Sequence, residues 1–198
     1  MNDILKAGSY LNYLNAMLME TQITDNVGHT YSLDDGVARM VSELIIIRNN
    51  GGLLALVGNG GSAAIVDHVH NDLGLSCGMC TLVFTNTPSL TAASNDFGYA
   101  AAYERQLACW SDYQGALLAI SSSGASENIL RAAKKARAIG MKIFTMTGFQ
   151  QDNPLRKMGE LNFYIKSDSY GIVELAHSCI AHCVTDTILM TSKNEKKI

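Results

Sequence analysis

The sequence predicts an α/β fold, a three-layer sandwich with a five-stranded parallel sheet that is preceded by a helical N-terminal arm. Five short apolar runs alternate with helical stretches after residue 51, as expected for strands that are buried on both faces and joined by right-handed βαβ crossovers. The length of 198 residues suits one well-buried domain rather than two. We therefore expect a single domain over 1–198, with a helical arm over 1–50 and an α/β core over 51–198.

The arm has the periodicity of helices. Its apolar residues recur at steps of three and four, at Ile4, Leu5, Leu11, Leu14 and Leu18. A second periodic run from Asp34 to Arg48 follows Ser32, whose side chain suits a helix N-cap. We expect helices here and no strand before the core.

The core strands are expected at the apolar runs, and a long last helix is expected over 172–192. The runs are LLALV (53–57), TLVFT (81–85), ALLAI (116–120), KIFTM (142–146) and LNFYI (161–165). Ligands of open α/β sheets bind beyond the carboxyl ends of the strands, where loops and helix N-termini present free backbone N–H groups. The loops after the first, third and fourth runs are therefore the candidate binding loops.

The composition argues against several classes of protein. With 15 Lys+Arg against 18 Asp+Glu and a net charge of -3, the chain lacks the basic surface that extended nucleic-acid binding requires. No apolar run approaches the ~20 residues of a membrane span and the N-terminus has no secretory pattern, so we expect a cytoplasmic protein without a membrane partner. Five cysteines are an odd number for a disulfide framework, and Cys77-x-x-Cys80 lacks the second pair of a zinc site.

The first candidate loop, Gly58-Asn59-Gly60-Gly61-Ser62-Ala63, satisfies the dinucleotide-binding pattern G-x-G-x-x-A. Two features argue against a dinucleotide: the helical arm precedes the strand, and the next strand ends in Thr85-Asn86-Thr87 without an acidic residue for the ribose. A Walker A loop is excluded because no Lys follows the glycines. A plain strand-to-helix turn explains the glycines equally well.

The second candidate loop places four hydroxyls at a strand end and a helix start, at Ser121, Ser122, Ser123 and Ser126. Together with free backbone N–H groups they suit a phosphate monoester, with no need for Lys or Mg²⁺. The alternative is that Ser126 caps the helix and the other serines are ordinary loop residues. A cap, however, explains only one of the four.

Two helices bring titratable side chains towards the same edge of the sheet. His68 and Asp72 lie one turn apart on the helix after the glycine loop. The last helix carries Glu174, His177 and His182. An isolated His/Asp pair is more often a surface contact than a metal site, but two such helices near one set of strand ends favour a functional site. We expect His29 and His70 to be structural or solvated.

In order and spacing these motifs resemble the SIS (sugar isomerase) domain and, within it, the sedoheptulose-7-phosphate isomerases, also called phosphoheptose isomerases. The resemblance covers nearly the whole chain and includes three further runs. They are Leu90–Tyr99 (LTAASNDFGY), Thr147-Gly148 and Glu174-x-x-His177-x-x-x-x-His182. It implies an aldose–ketose isomerase that converts sedoheptulose 7-phosphate to D-glycero-D-manno-heptose 7-phosphate through an enediol. It also implies a homotetramer built through the arm, with sites at subunit interfaces.

The resemblance further implies the site residues. Substrate contacts fall on Asn59, Gly60, Gly61, Ser62, His68, Asp72, Asn95, Asp96, Ser121, Ser122, Ser123, Ser126 and Glu174. One zinc ion per site would be held by His68, Asp72, Glu174 and His182. Asp72 is assigned as general base and His182 as general acid, and the reverse assignment stays open. Glu174 and His182 are ~12 Å apart along an ideal helix, so both must lean inward to share an ion.

Three departures from the family pattern keep other hypotheses open. Asp72 stands where the family has Glu, Glu174 where it has Gln, and Gly74-Leu75-Ser76 where a basic residue is usual. A second hypothesis is therefore an isomerase of a different seven- or eight-carbon ketose phosphate. A third is a non-catalytic SIS protein that binds a phosphosugar or assembles with a protein partner. That branch lacks the site histidines, whereas His68 and His182 are present here.

Overall fold

A computed structural model describes the backbone of residues 6–195 and the side chains of residues 6–192. The helices are α1 (Ala7–Met19), α2 (Leu33–Asn49), α3 (Gly61–Asn71), α4 (Thr87–Phe97), α5 (Ala102–Ala108), α6 (Glu127–Ala138) and α7 (Tyr170–Glu195). The strands are β1 (Gln22–Thr24), β2 (Thr30–Tyr31), β3 (Leu53–Val57), β4 (Cys80–Val83), β5 (Gly115–Ser121), β6 (Lys142–Thr147) and β7 (Leu161–Tyr164). A π-helical turn, Asp72–Ser76, continues α3.

The predicted three-layer sandwich is confirmed. All five predicted strands form and pair in parallel, within a sheet of order β2-β1-β7-β6-β5-β3-β4. Helices α2, α3 and α7 cover one face through side chains such as Leu44, Val66 and Ile180. Helices α5 and α6 cover the other face through Leu107 and Ile129. The strand order reverses between β3 and β5, and such a switch point is where open α/β sheets bind ligands.

The expectation of no strand before the core is wrong. Strands β1 and β2 form an antiparallel pair that extends the sheet beyond β7. Both are too short to show a period of two in the sequence, and their turn is held by Asp25, which accepts hydrogen bonds from the backbone of Val27 and His29 and from the Tyr31 hydroxyl. Burial opposes the charge on Asp25, but these hydrogen bonds outweigh it, so the pKa of its carboxyl lies below its ordinary value.

The arm begins as predicted but packs loosely. None of the residues of α1 is buried, and Leu11 and Met19 are 60% and 68% exposed. Ile4 and Leu5 of the predicted apolar face lie outside the described residues. The cap of α2 is confirmed, since the Ser32 hydroxyl accepts a hydrogen bond of 3.1 Å from the Asp35 amide. Leu14 and Leu18 are half-buried against the core, so one copy of the chain leaves only part of the apolar surface of α1 in solvent.

Helix α7 is longer than expected, and it is long and apolar enough to span a membrane by length and composition alone. Over Tyr170–Ser192 its mean hydropathy of 1.2 and its length pass the criterion for a membrane span. Half of that segment is buried inside the molecule, where Val173, Ile180 and Ile188 pack against the sheet. It also carries buried His177. These are the features of the central helix of a globular core.

Candidate functional site

A pocket of about 280 Å³ opens at the carboxyl edge of the sheet, at the switch point between β3 and β5. Its lining contains nine of the residues predicted to contact substrate: Asn59, Gly60, Gly61, Ser62, Ser121, Ser122, Ser123, Ser126 and Glu174. Tyr170 completes the lining. Helices α3 and α6 both begin here, and the first N–H groups of a helix have no partner within it. Two helix N-termini therefore point their positive ends at one cavity.

The glycine loop is a tight turn at the start of α3. Gly60 has φ +54°, a left-handed backbone conformation that favours glycine. A side chain at Gly58 would overlap the backbone of Ser62, and one at Gly61 would overlap the carboxylate of Glu174. The turn therefore requires glycine at Gly58 and Gly60, and the absence of a side chain at Gly61 leaves room for the Glu174 carboxylate.

The serine loop divides into two pairs. Ser121 and Ser123 accept hydrogen bonds from the amides of Gly124 and Ala125, so they have the ordinary loop role that we considered as the alternative. The hydroxyl of Ser126 makes no cap bond, although Ser126 is the N-cap of α6. Ser122 is 4% exposed and its hydroxyl has no hydrogen-bond partner. A buried hydroxyl without a partner is rare in folded proteins, and Ser122 lines the pocket. A ligand oxygen would satisfy it.

Asn59 is held by two residues that the sequence did not single out. It exchanges two hydrogen bonds of 2.9 Å with the side chain of Asn128, which is 3% exposed. Its Oδ1 also accepts a hydrogen bond of 2.8 Å from the Tyr99 hydroxyl. This leaves one N–H of the Asn59 amide free for a ligand. A polar residue two positions after the serine loop, in the first turn of α6, was the only sequence signal for Asn128.

His68, Asp72 and His182 form a compact group on α3 and α7. The Asp72 Oδ2 atom lies 3.4 Å from His68 Nε2 and 3.7 Å from His182 Nδ1, and the two imidazole rings are 4.9 Å apart. One ligand atom from each residue lies within 4.8 Å of the others. Tetrahedral zinc needs its nitrogen and oxygen ligands about 3.3 Å apart, so a small movement would suffice. Asp72 opens the π-helical turn, a distortion common at functional sites.

Glu174 lies apart from this group. The helix places it two turns before His182, and its carboxylate faces Gly61 at the pocket. Within the described part of the chain, the metal-type group therefore contains three of the four predicted ligands. In this conformation Glu174 is a pocket residue. To act as a fourth ligand, its side chain would have to turn along α7 towards His182.

Asn95 and Asp96 are not brought to the pocket in one copy of the chain. Both are exposed on α4, where the Asn95 amide donates a hydrogen bond of 3.0 Å to Asp96. Two histidines set aside from the sequence have structural contacts: His29 lies 3.1 Å from Asp25, and the backbone of His70 accepts a hydrogen bond from Thr81. Cys77 is buried and Cys80 exposed, and neither belongs to the metal-type group.

An α/β sandwich with a pocket of glycines and serines at its switch point, and a His/Asp group on two of its helices, defines the class of α/β proteins that bind ligands at the carboxyl ends of their strands. Comparisons with known proteins give the family. A family model of the SIS domain matches residues 21–148. The phosphoheptose isomerase of Helicobacter pylori (strain P12) is 30% identical over 166 residues, which cover 79% of this chain and 84% of that protein.

Two further relatives agree with this assignment. The phosphoheptose isomerase of a Bradyrhizobium species is 33% identical over 159 residues, which cover 76% of this chain and 78% of that protein. The solved structure of a phosphoheptose isomerase from Francisella tularensis has a TM-score of 0.81 at 25% identity and covers 96% of this chain and 100% of that one. The chain belongs to the SIS-domain family and, within it, to the phosphoheptose isomerases.

Proposed function

We propose that the protein is an aldose–ketose isomerase that converts sedoheptulose 7-phosphate to D-glycero-D-manno-heptose 7-phosphate. One observation carries the proposal: the pocket with the partnerless Ser122 hydroxyl lies at the start of α3, and the same helix carries His68 near its other end, where His68 meets Asp72 and His182. Gly61 and His68 are ~10 Å apart along the axis of α3. That span suits an extended sugar phosphate with its phosphate in the pocket and its carbonyl end at the histidines.

The pocket binds the phosphate without a lysine or arginine in its lining. The hydroxyls of Ser122 and Ser126, the free N–H of Asn59 and the amides at the start of α3 and α6 supply the hydrogen bonds. Backbone amides and helix dipoles bind phosphate well because they are fixed in place before the ligand arrives. The phosphate then anchors the chain so that the reacting carbons lie beside Asp72 and His182.

Asp72 is the general base of the proposed reaction and His182 the general acid. Asp72 removes the proton from the carbon next to the carbonyl and returns it to the neighbouring carbon, and His182 moves a proton between the two sugar oxygens. An enediol forms and collapses, with no net gain or loss of atoms. Asp72 is about one quarter exposed, so substrate can reach it. The reverse assignment of the two roles remains the alternative.

The donor set of His68, Asp72 and His182 fits a catalytic zinc ion, because catalytic sites use three protein ligands and keep a position open. The side chains of His68 and His182 are 56% and 46% exposed, which leaves that position accessible. A zinc ion bound there would stabilise negative charge that develops on the sugar oxygens. A cytoplasmic homotetramer with sites completed at subunit interfaces is part of the same proposal.

One observation favours the second hypothesis, a different seven- or eight-carbon ketose phosphate. The carboxylate of Glu174 lines the pocket itself, where the family has a neutral Gln. A negative charge at the phosphate end of the site favours substrates that present a hydroxyl donor next to the phosphate. The choice of sugar is therefore the part of the proposal that is most open to experiment.

The test is turnover of ketose phosphates of five to eight carbons by the zinc-loaded protein and by its Asp72→Asn variant. We expect sedoheptulose 7-phosphate to react and the variant to lose about 10²- to 10⁴-fold in kcat, because a general base is removed. Asp67→Asn, an exposed position on the same helix, is the matched control. Equal turnover by protein and Asp72→Asn would refute the assignment of the base.

The same screen separates the hypotheses. Turnover of another ketose phosphate alone would replace the substrate. Absence of all turnover by a protein that still binds sedoheptulose 7-phosphate would identify a non-catalytic phosphosugar-binding protein. Metal analysis of the purified protein accompanies both measurements, because an isomerase of this proposal carries about one zinc ion per site.

A further inference from the structure

The mouth of the pocket carries one residue that the proposed chemistry does not use. Tyr170 is the first residue of α7, 63% exposed, and its side chain lines the pocket. It precedes Glu174 by one turn, so both lie on the helix face that borders the serine loop. Its hydroxyl has no hydrogen-bond partner among the side chains that the structure describes.

The ring of Tyr170 is supported from behind by Phe149. The two rings meet edge to face, with centroids 4.8 Å apart and an interplanar angle of 78°. Phe149 has φ +56° and is the only residue other than glycine with a positive φ in the described part of the chain. A bulky residue in this conformation costs on the order of 1 kcal/mol, so strain of this kind often marks a functional site.

The strained backbone of Phe149 is fixed on both sides. Its amide donates a hydrogen bond of 2.9 Å to the carbonyl of Ser167, and its carbonyl accepts one of 2.8 Å from the Tyr164 hydroxyl. Tyr164 is itself buried at the end of β7. The sheet therefore holds Phe149 in an unfavourable conformation that places its ring against Tyr170.

A further uncharged hydrogen-bond donor beside Glu174 would strengthen phosphate binding in the pocket. Its lining contains no cationic side chain, and Glu174 adds a negative charge to it. A phosphate bound there depends on hydrogen bonds and helix N-termini rather than on a cationic side chain, and a phenol hydroxyl is a further donor that adds no charge. The Tyr170 ring would also shield the bound phosphate from water, which strengthens each hydrogen bond inside.

We infer that Tyr170 donates a hydrogen bond to the phosphate of the bound sugar, and that Phe149 is a positioning residue that holds the Tyr170 ring at the pocket mouth. This inference rests on the proposed phosphosugar pocket. It adds a phosphate contact from the start of α7 to those from the glycine and serine loops.

The test measures binding, so that it does not depend on turnover. Titration calorimetry with inorganic phosphate and with sedoheptulose 7-phosphate compares the protein with Tyr170→Phe, which removes only the hydroxyl. We expect both ligands to bind about five- to tenfold more weakly, as for the loss of one hydrogen bond to an anion in a partly open site. The KM for sedoheptulose 7-phosphate should rise by the same factor while kcat changes by less than about twofold.

Phe149→Asn tests the positioning role. Asn tolerates a positive φ, so this variant keeps the backbone conformation and removes the ring. We expect it to weaken phosphate binding at least about threefold, but no more than Tyr170→Phe does. The reason is that the Tyr170 side chain regains rotamers that it must lose again on binding. An affinity equal to that of the unsubstituted protein would remove Phe149 from the inference.

Tyr113→Phe is the matched control. Tyr113 is 51% exposed and its ring centroid lies 5.3 Å from that of Trp110. It precedes β5 and therefore lies at the opposite edge of the sheet. The variant should leave both affinities unchanged. Phosphate affinity that is unchanged in Tyr170→Phe, but lost in Ser122→Ala, would overturn the role of Tyr170 and leave the pocket assignment intact. Phosphate affinity that is unchanged in Ser122→Ala as well would show that the pocket assignment itself is wrong.

Discussion

Glu174 places a carboxylate where a phosphate is expected, and Gly61 gives it the space to do so. The Glu174→Gln variant removes that charge and keeps the size of the side chain. We expect it to bind inorganic phosphate about two- to fivefold more tightly, because like-charge repulsion in a partly solvated site amounts to about 0.5–1 kcal/mol. Titration calorimetry checks the affinity, and metal analysis of the same samples checks the zinc content.

The zinc content distinguishes the two roles of Glu174. If it is a pocket residue, the variant keeps its zinc. A loss of zinc would instead show that Glu174 leans towards His182 and completes the ligand set, as the family resemblance implies. Glu127→Gln, at an exposed position in the first turn of α6, controls for the general effect of removing a carboxylate near the pocket.

Asn128 acts through Asn59, since their side chains exchange two hydrogen bonds. We expect Asn128→Leu to raise the Kd for inorganic phosphate about tenfold, because the Asn59 amide is then free to turn away from the ligand. Tyr99→Phe removes a single hydrogen bond to the same Asn59 oxygen and should have a smaller effect. Unchanged phosphate affinity in both variants would show that Asn59 does not contact the phosphate.

At the scale of elements, helix α7 is joined to the sheet by His177. This residue is 0% exposed, and its Nε2 lies 3.1 Å from the carbonyl oxygen of Thr147 at the end of β6. Burial lowers the pKa of His177 to about 4, against the opposing effect of the hydrogen bond with Thr147. Between about pH 4 and pH 6.5, the imidazole is therefore neutral in the folded protein and protonated in the unfolded chain.

This lowered pKa predicts a loss of stability in acid. As the pH falls below about 6.5, the unfolded chain takes up a proton that the folded protein refuses, so stability declines until the pH reaches the folded pKa. We expect the free energy of unfolding in urea to be about 2 kcal/mol lower at pH 4.5 than at pH 7.5 through this residue alone. His177→Gln keeps a side-chain donor for Thr147 and should remove that part of the pH dependence.

His29→Gln serves as the control for this prediction, because the side chain of His29 is 73% exposed. It should leave the pH dependence close to that of the unsubstituted protein. If His177→Gln shows the same decline between pH 7.5 and pH 4.5 as the unsubstituted protein, then other groups cause the decline and the link between α7 and β6 is not pH-sensitive.

At the scale of the molecule, the arm and the groove beside it are apolar surfaces that one copy of the chain leaves open. The groove has a volume of about 440 Å³ and lies between α1, α2 and α7, with Leu18, Val37 and Ile180 in its lining. Large exposed apolar surfaces on soluble proteins usually mark contacts with another chain. They support the proposed homotetramer.

If the proposed tetramer forms through α1, Leu11→Glu combined with Met19→Glu should convert it to smaller species, because charges would then be buried at the contact. Both side chains are more than half exposed in the single chain, so its own fold should tolerate the change. Sedimentation equilibrium measures the mass, and Val27→Glu, at a residue 71% exposed in the turn between β1 and β2, is the control. A doubly substituted protein that remains a tetramer would place the subunit contacts elsewhere.

Most of the sheet could be predicted because buried parallel strands give continuous apolar runs, and β3 was predicted to the residue. Strands β1 and β2 could not be predicted, because strands of three and two residues are too short to show an alternating pattern, and they depend on the pairing of β1 with β7 and of β2 with β1. The pocket was predictable in composition, because the two loops follow parallel strands and therefore meet at the same edge of the sheet, although each loop alone also has a plain structural explanation. Asn128 and Tyr170 were not, because an Asn and a Tyr near a helix start are common everywhere.

The sequence by itself determined the α/β class, the two loops that line the pocket and the residue types of the candidate site, since all of these follow from local patterns and from motifs of fixed spacing. Only the tertiary structure decided which residues meet. It grouped His68 and Asp72 with His182, from more than a hundred residues away, and left Glu174 at the pocket. Whether a side chain on a long helix reaches one neighbour or another depends on how that helix is rotated and placed against the sheet, which is fixed by packing of the whole core rather than by spacing along the chain.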